Sequence, residues 1–492
     1  MSIGFNEVPT GSLTPFFYVE IDNSGAFQGS NTIPWQILLL GQQLPSKSAP
    51  KEIVQVTSKA QAVSLFGAGS QLAQMVEAFL ASNSTQPLYC LPLADAGSSV
   101  AASGSIAFTG TATASGSIAL MIGGRAVTVG VESGDTAAEI ATAVAAAVNA
   151  LSDLAVTAVA ATGTVTFTAK NKGSASNELD IRVNHYQGEE TPAGITSTVT
   201  AMSGGSVDPD LSTEGVAGIL ANRWFQAIAM SWTNTAAVTY METELSTRWK
   251  ADHMTGGVVY AAKNIHIMGF SSLTTYGDAR NSPFSIIMNA ESVPTAPWEF
   301  AAETAALAAY YCAIDPARPL QTLGYSFAKA PTQAQENSWV ENEILLQKGV
   351  ATFTVSQDRT VRIQRMVTTY KTSSSGAADP SYRDVETVYT LQAIRYDWTV
   401  YMKNKYPRHK LASDGANFGP GQPVITPKTG RAEAINRFKV WEELGWVEGL
   451  DAFKAALVVE RNSGDVNRLD FLLRPNLMNQ FRIGATKIQF IL

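Results

Sequence analysis

Strand-like and helix-like runs alternate along much of this chain, and this rhythm constrains its fold more than any other feature. The early part carries apolar, strand-like runs at 37–40 and 87–93, with helical patterns at 58–66 and 70–82. Beyond residue 206 the strand patterns fall at 225–232, 264–270 and 284–289, and the helical patterns at 236–250 and 298–313. Strands that alternate with helices predict a mainly parallel α/β sheet.

Residues 98–206 interrupt this rhythm. Between positions 101 and 170, 45 of 70 residues are Ala, Gly, Ser or Thr and only six are charged, so this part has its own composition. Short strand patterns surround one helix at 137–151, where Thr136 and Glu139 have capping-box spacing. We predict a small inserted α+β domain that is peripheral, points outward and folds by itself. The alternative is that it forms an integral part of the core.

The last third has a different pattern again. A hairpin is predicted from 351–355 and 360–370, and amphipathic helices are predicted at 385–405 and 431–444. The predicted organisation is an N-terminal arm at 1–30, an α/β core at 31–97 and 207–358, the insertion at 98–206, a C-terminal α+β domain at 359–484 and a C-terminal arm strand at 485–492.

Each end of the chain carries a short alternating segment that has no sheet of its own. Such strands must pair with a sheet elsewhere, either in their own chain or in a neighbouring copy. We predict donation to neighbours, with the receiving sheet built around the hairpin at 351–370. The candidate residues for this strand exchange are Phe16, Phe17, Tyr18, Val19, Glu20, Ile21, Lys487, Ile488, Gln489, Phe490 and Ile491.

Charge is distributed unevenly along the chain. Residues 1–358 hold 15 Lys and Arg against 29 Asp and Glu, a net charge of −14, whereas residues 359–492 hold 20 against 13, a net charge of +7. The total of −7 argues against a general nucleic-acid binder. The split suggests that one end of the molecule meets an acidic partner or the other end of a neighbouring copy.

Enzyme signatures are missing from the sequence. It contains neither a G-x-x-x-x-G-K-[ST] phosphate loop nor a G-x-S-x-G elbow, and its four histidines are isolated from one another. The turn Gly67-Ala-Gly69-Ser70 lacks the third glycine of a dinucleotide fingerprint. We therefore expect no enzyme, with no catalytic residue, metal ligand or cofactor. The apolar runs are too short to span a bilayer, so we expect no membrane insertion. The sequence shows no secretory signal pattern, so we expect no export.

Several segments, spread in order along the chain, carry a family likeness. The first is the Pro-rich segment before Tyr18-Val-Glu-Ile-Asp22. The later segments are Leu38-Leu-Leu-Gly41, Leu65-Phe-Gly-Ala-Gly-Ser70, Asp315-Pro-Ala-Arg-Pro319, Asn342-Glu-Ile-Leu-Leu346, Arg365-Met-Val-Thr-Thr-Tyr370, Lys410-Leu-Ala-Ser-Asp-Gly415, Val424-Ile-Thr-Pro427 and Asn467-Arg-Leu-Asp470. Together they resemble the contractile tail sheath proteins of myophages, in particular the Mu-like branch.

This resemblance implies a multidomain α/β fold. Its parts would be a subtilisin-like α/β core, an inserted small α+β domain, an α+β C-terminal domain and extended strand-like arms at both termini. It also implies a structural protein of the virion, assembled in the host cytoplasm as hexameric rings stacked helically around a tail tube. Baseplate and tail terminator proteins would be further partners, and contraction would drive the tube through the host envelope for genome ejection. The alternatives are the sheath of a phage-derived contractile particle and a non-contractile shell or adhesin.

With that resemblance, the basic last third is expected to face the tail tube. The alternative is that its cations pair with acidic surfaces of neighbouring sheath subunits. The candidate tube contacts are Arg431, Arg437 and Lys439 on the second helix, and Lys403, Lys405, Arg408 and Lys410 near the end of the first.

Overall fold

A computed structural model describes residues 32–264, 269–290, 292–419 and 421–491. The described chain divides into two compact units. The first unit is Pro34–Val388, and the second takes in the chain from Tyr389 onward. The predicted N-terminal strand, Phe16 to Ile21, lies outside the described residues.

The first unit is built on a six-stranded sheet. The elements before the insertion are β1 (Ile37–Gln42), β2 (Val54–Gln55), α1 (Lys59–Phe66), α2 (Gln71–Ser82) and β3 (Leu88–Leu93). The insertion contains β4 (Ser103–Gly110), β5 (Gly116–Ile122), β6 (Arg125–Val131), α3 (Ala137–Ala150), β7 (Val156–Ala161), β8 (Thr164–Ala169), β9 (Ile181–Val183) and β10 (Ile195–Ser203). After the insertion come α4 (Val216–Leu220), β11 (Ala227–Met230), α5 (Thr235–Trp249), β12 (Val258–Lys263), α6 (Phe270–Asp278), β13 (Ser285–Asn289) and α7 (Pro297–Ile314).

The strand order of the large sheet is β13-β12-β11-β1-β3-β2. All neighbouring strands are parallel except β2, which runs antiparallel to β3. The chain moves from β1 outward to β3, returns after the insertion to β11, and then continues in the opposite direction. The order therefore reverses between β1 and β11, where open α/β sheets place their ligands. The prediction of a mainly parallel α/β layer is confirmed.

One predicted strand of this sheet was misplaced. The sequence pattern put it at 264–270, but β12 ends at Lys263 and Phe270 begins helix α6. Residues 265–268, with the predicted strand position of His266, lie outside the described residues. The run Val258–Lys263 contains no polar residue before its final lysine and is buried throughout, which is typical of a central parallel strand.

The insertion contains two antiparallel sheets and one helix. The order of the first sheet is β10-β4-β8-β7 and that of the second is β6-β5-β9. Helix α3 starts at the predicted capping box, where Thr136 and Glu139 each accept from the other's backbone N–H. Strands β4 and β10 were not predicted, because their Ser- and Thr-rich sequences carry little apolar signal.

A hairpin crosses the predicted boundary between the core and the C-terminal domain. The remaining elements of the first unit are α8 (Trp339–Gln347), β14 (Thr352–Val355) and β15 (Val361–Arg365). The boundary at 358/359 falls in the turn between the two paired strands, whereas the compact units divide between Val388 and Tyr389. The other predicted domain limits remain predictions.

The described part of the second unit is formed by three helices and short strand pairs. Helix α9 (Val385–Lys405) runs across the division and has the predicted bounds. It is followed by β16 (Lys410–Leu411), β17 (Val424–Ile425), α10 (Pro427–Glu443), β18 (Val447–Glu448), α11 (Leu450–Ala456), β19 (Val458–Arg461), β20 (Leu469–Leu472) and β21 (Asn476–Leu477). Helix α10 starts four residues before its predicted first residue, Arg431, because Thr426 caps it and Pro427 is favourable in its first turn.

Candidate assembly site

Polar side chains bond to one another at the carboxyl end of β1, beside the switch point where an open α/β sheet would hold a ligand. Gln42, at the end of β1, donates from Nε2 to Asp95 Oδ1 at 2.7 Å and to the Lys172 carbonyl at 2.8 Å. Trp232, just beyond β11, donates from Nε1 to Gln42 Oε1 at 3.2 Å. Gln42 and Trp232 are fully buried. The insertion, which supplies Lys172, thus contacts the carboxyl end of β1 beside the switch point of the sheet.

A buried ion pair continues this contact along the sheet. Glu178 of the insertion lies 2.9 Å from Lys263 Nζ at the end of β12. It also accepts from Thr233 Oγ1 at 3.2 Å and from the Asn264 backbone N–H at 2.8 Å. Both charged side chains are about nine-tenths buried. The carboxylate is therefore fully engaged in joining the insertion to the core.

A cavity of about 490 Å³ lies beside this pair. The described residues that line it are Thr233, Asn234, Thr235, Lys263, Ser271, Ser272, Thr275 and Tyr276. Within the described ranges, no cluster of three His, Cys, Asp or Glu side chains could hold a metal ion. In the same part of the chain, no helix is long and apolar enough to cross a membrane.

A second charged anchor links the insertion to helices α2 and α7. Arg125, the first residue of β6, lies 2.9 Å from Glu77 and 2.6 Å from Glu299. The chain before it approaches α7 so closely that a Cβ on Gly124 would lie 3.0 Å from the Cα of Thr295. Glu299 is completely buried, and this burial raises its pKa to about 7, although Arg125 acts in the opposite direction.

The raised pKa of Glu299 predicts a pH-dependent stability. In the folded chain the Glu299 carboxyl keeps its proton up to about pH 7, whereas a Glu in the unfolded chain releases it near pH 4.3. The contribution of protonated Glu299 to the unfolding free energy is therefore complete below pH 4.3 and is lost as the pH rises through 7. Between pH 6 and 8 the wild type should lose about 1.4 kcal/mol of unfolding free energy relative to Glu299→Gln. Urea unfolding of both proteins at several pH values measures this difference, and parallel curves would contradict it.

The prediction of a peripheral insertion that points outward and folds by itself remains a prediction, and these contacts show how the insertion is attached to the core. Arg125 and Glu178 were not identified from sequence as anchors, and neither was Asn171, whose amide donates to the Gln43 carbonyl at 2.8 Å and accepts from the Gln71 N–H at 3.0 Å. A usable signal was present at Glu299 and Glu303, which interrupt an otherwise apolar, Ala-rich helix. Acidic residues inside a fully buried helix require partners from another element.

The basic candidates on the second unit differ in exposure. Arg437 is only 2% exposed, and its guanidinium pairs with Asp397, which is completely buried. Trp441 Nε1 also donates to Asp397 Oδ2, at 2.6 Å. Arg437 is therefore not a candidate tube contact, contrary to the expectation from sequence, because its guanidinium is buried and paired with Asp397 inside the unit. Arg431 is half-buried and donates to the Leu457 and Lys454 carbonyls.

The other cations lie at the surface. Lys405 Nζ is 3.0 Å from Glu433, which also accepts from the Tyr406 hydroxyl at 2.6 Å. Lys410 Nζ donates to Gln422 Oε1 at 2.8 Å and is exposed. The exposed candidates that form neither an ion pair nor a side-chain hydrogen bond among the described residues are Lys403, Arg408 and Lys439. They are the strongest candidates for contact with an acidic partner.

The C-terminal segment is exposed. Ile488, Phe490 and Ile491 are 85%, 79% and 98% exposed, and residues 478–491 form no strand in the described chain. Lys487 and Gln489 are exposed as well. Such a run of apolar side chains in water is unfavourable, so this segment needs a partner.

The hairpin proposed to receive these strands is already occupied along one edge. The N–H groups of Thr322 and Tyr325 donate to the carbonyls of Ile363 and Val361 on β15, and Ile363 donates back to the Leu323 carbonyl. By contrast, β19 and β20 form a two-stranded sheet to which no further strand is paired among the described residues. This second hairpin exposes Val458 and Leu472 to 45% and 46%.

Comparison with known proteins gives the chain its family. Family models match residues 97–208 as the phage tail sheath protein beta-sandwich domain, 204–369 as the phage tail sheath protein central domain, and 377–491 as the phage tail sheath C-terminal domain. The Mu-like prophage FluMu tail sheath protein of Haemophilus influenzae is 39% identical over 494 residues, covering all of both chains.

The chain belongs to the phage tail sheath protein family. The resemblance to the Mu-like branch is thereby confirmed. Two solved sheath tail proteins also align with this one. That of Desulfitobacterium hafniense is 12% identical with a TM-score of 0.48, over 95% of this chain and 100% of the other. That of Listeria innocua is 13% identical with a TM-score of 0.49, over 92% of this chain and 94% of the other.

Proposed function

We propose that this protein is the sheath subunit of a contractile phage tail. Copies polymerise around the tail tube and shorten to drive it through the host envelope for genome ejection. The observation that carries this proposal is the 39% identity to a Mu-like tail sheath protein along the entire chain. The hydrogen bonds that join Gln42 to Asp95, Lys172 and Trp232 at the β1–β11 switch point favour a structural role for these residues over a catalytic one.

Family membership also supports a more detailed proposal. The parallel sheet and its helices form a subtilisin-like core without a catalytic site, and the subunits form six-membered rings stacked helically. Rings meet baseplate proteins at one end of the tail and a terminator at the other, in a virion assembled in the host cytoplasm. Electron microscopy of purified particles tests the function, because long and short hollow cylinders support it and isolated monomers under assembly conditions contradict it.

Strand exchange would connect the copies. The exposed apolar segment at the C-terminus needs a sheet, and the β19–β20 hairpin offers unpaired strands. A third strand would stabilise it, because two-stranded sheets are marginal in water. We therefore place the acceptor at 458–472 of a neighbouring copy instead of at 351–370. The N-terminal residues Phe16 to Ile21 remain candidates for a strand of the same sheet.

Removal of residues 485–492 should abolish polymerisation without unfolding the subunit. The subunit should stay folded because no strand of the described chain includes residues 485–491. Polymerisation should fail because the acceptor hairpin of a neighbouring copy would lose its partner strand. Sedimentation velocity and electron microscopy should find folded monomers. A matched control replaces Lys487 and Gln489 by Thr, which keeps the apolar side chains and should still give cylinders. Normal cylinders from the truncated chain would exclude this end as a connecting arm.

The exposed cations are proposed to contact the tube. Reversing Lys403, Arg408 and Lys439 to Glu should prevent extended sheath from forming on tubes, while contracted-type sheath still forms alone. A single exposed pair contributes about 0–1 kcal/mol, but repetition around and along a tube makes the sum large. The control reverses Lys454, which pairs with Asp451 at 2.9 Å. Unchanged extended assembly in the triple variant would favour contacts with neighbouring sheath subunits or none.

A further inference from the structure

The two edges of the β10-β4-β8-β7 sheet in the insertion differ in a way that indicates a use. At the β7 edge, Asn149 acts like an additional strand residue: its side chain accepts from the Ala158 N–H at 2.9 Å and donates to the Ala158 carbonyl at 2.7 Å. A capped edge resists pairing with another chain. The β10 edge has no such cap among the described residues.

The backbone groups of β10 that point away from the sheet can be identified from the ladder. Phe108 of β4 donates to the Gly163 carbonyl on the β8 side, so its neighbours Ala107 and Thr109 face β10. Their partners in β10 are Thr198 and Thr196. The N–H and C=O groups of the intervening residues, Ser197 and Val199, therefore point outward.

The exposed strand lacks the usual protection against pairing. The sequence of β10, Ile195 to Ser203, contains no charged residue and no proline, and Val199 is 38% exposed. A register shift between Thr200 and Ser203 limits the regular part of the ladder to Ile195–Thr200. Natural edge strands are normally protected by charges, proline or a covering element.

We propose that β10 pairs antiparallel with β10 of a second copy of this chain. A two-fold axis at Thr198 places Ser197 opposite Val199 of the partner copy and makes four main-chain hydrogen bonds. It also places Thr198 opposite Thr198 and Thr196 opposite Thr200 on the outer face. Opposed threonines are favourable cross-strand pairs, and this sheet already contains one, since the hydroxyl oxygens of Thr109 and Thr196 lie 2.6 Å apart.

A second copy fits this edge better than a head-to-tail neighbour. Pairing of β10 with β7 of another copy would meet the Asn149 cap, whereas a two-fold contact uses only the uncapped edge. Copies related by a two-fold axis cannot both point the same way along a tail. The pairing therefore belongs to free subunits, and it stands independently of the function proposed above. Its area is small, so the dimer is weak.

Disulfide trapping tests the proposal in the full chain. Thr198 meets its partner at a non-hydrogen-bonded position, where the closer Cβ atoms suit a disulfide, so Thr198→Cys should form a covalent dimer under mild oxidation. The matched control is Thr157→Cys, an exposed threonine with the same ladder position on the capped β7 edge. Both native cysteines, Cys90 and Cys312, are buried, and burial raises the pKa of their thiols.

The expected result is dimer formation at least about tenfold faster for Thr198→Cys than for Thr157→Cys, because pairing raises the effective thiol concentration. Adding Val199→Pro removes an outward N–H without changing the β4 ladder, so the difference in dimerisation rate between the two cysteine variants should disappear. If the proline variant misfolds, Val199→Lys should have the same effect. Equal rates for the two cysteine variants would overturn the proposal. A preference for mixed dimers between them would replace it with β10–β7 pairing.

Discussion

Replacing Glu178 by Ala is expected to destabilise the first unit by about 3–5 kcal/mol, because Lys263 would keep its charge in a buried site without a counter-ion. The variant also leaves Thr233 and the Asn264 N–H without their acceptor. Such a loss is a large fraction of the stability of most domains. Urea unfolding followed by tryptophan fluorescence measures the effect, and limited proteolysis should cut the insertion earlier.

Two further variants separate the charge effect from a general loss of packing. In the double variant Glu178→Leu with Lys263→Met, both charges are removed, so most of the stability should return. Glu214→Ala is the matched control, because its pair with Lys51 at 2.8 Å is much more exposed and should contribute little. A cost below about 1 kcal/mol for Glu178→Ala would show that the ion pair does not hold the insertion.

Local signals predicted most elements of the fold. Strand β1, helix α2 and helix α9 were found from periodicity, and Thr136 located the start of α3, because these features depend on residues close in sequence. Strand β10 was missed since its threonines and serines resemble a loop. The predicted position of strand β12 was wrong because apolar residues occur on both sides of Lys263, so the sequence does not mark where the strand ends.

The site was harder to predict, because its contacts join residues far apart in the chain. Glu178 and Lys263 are separated by 85 positions, and nothing in the spacing of either one points to the other. A composition rich in small residues marks the insertion as a distinct part of the chain, but it carries no information on which residues attach the insertion to the core. Membership of the sheath family was accessible because it rests on ordered motifs along the whole chain.

In the second unit, Asp397→Ala is expected to have a comparable effect, about 3–5 kcal/mol. Asp397 and Arg437 are 0% and 2% exposed, and the carboxylate also accepts from Trp441 Nε1. Truncation removes the buried carboxylate to which both the Arg437 guanidinium and the Trp441 indole N–H donate. The helices α9 and α10 are tied together by this contact, so cylinders should fail to form even though the arms are intact.

The result depends on burial, which a matched pair of variants can establish. Asp451→Ala removes an exposed partner of Lys454 in the same unit, and its unfolding curve should match that of the wild type. The double variant Asp397→Leu with Arg437→Met should recover most of the stability, because two apolar side chains can replace a buried ion pair. If that variant also restores cylinders, Arg437 acts only inside the subunit. If it folds but fails to assemble on tubes, Arg437 has a role at the tube surface that its burial does not explain.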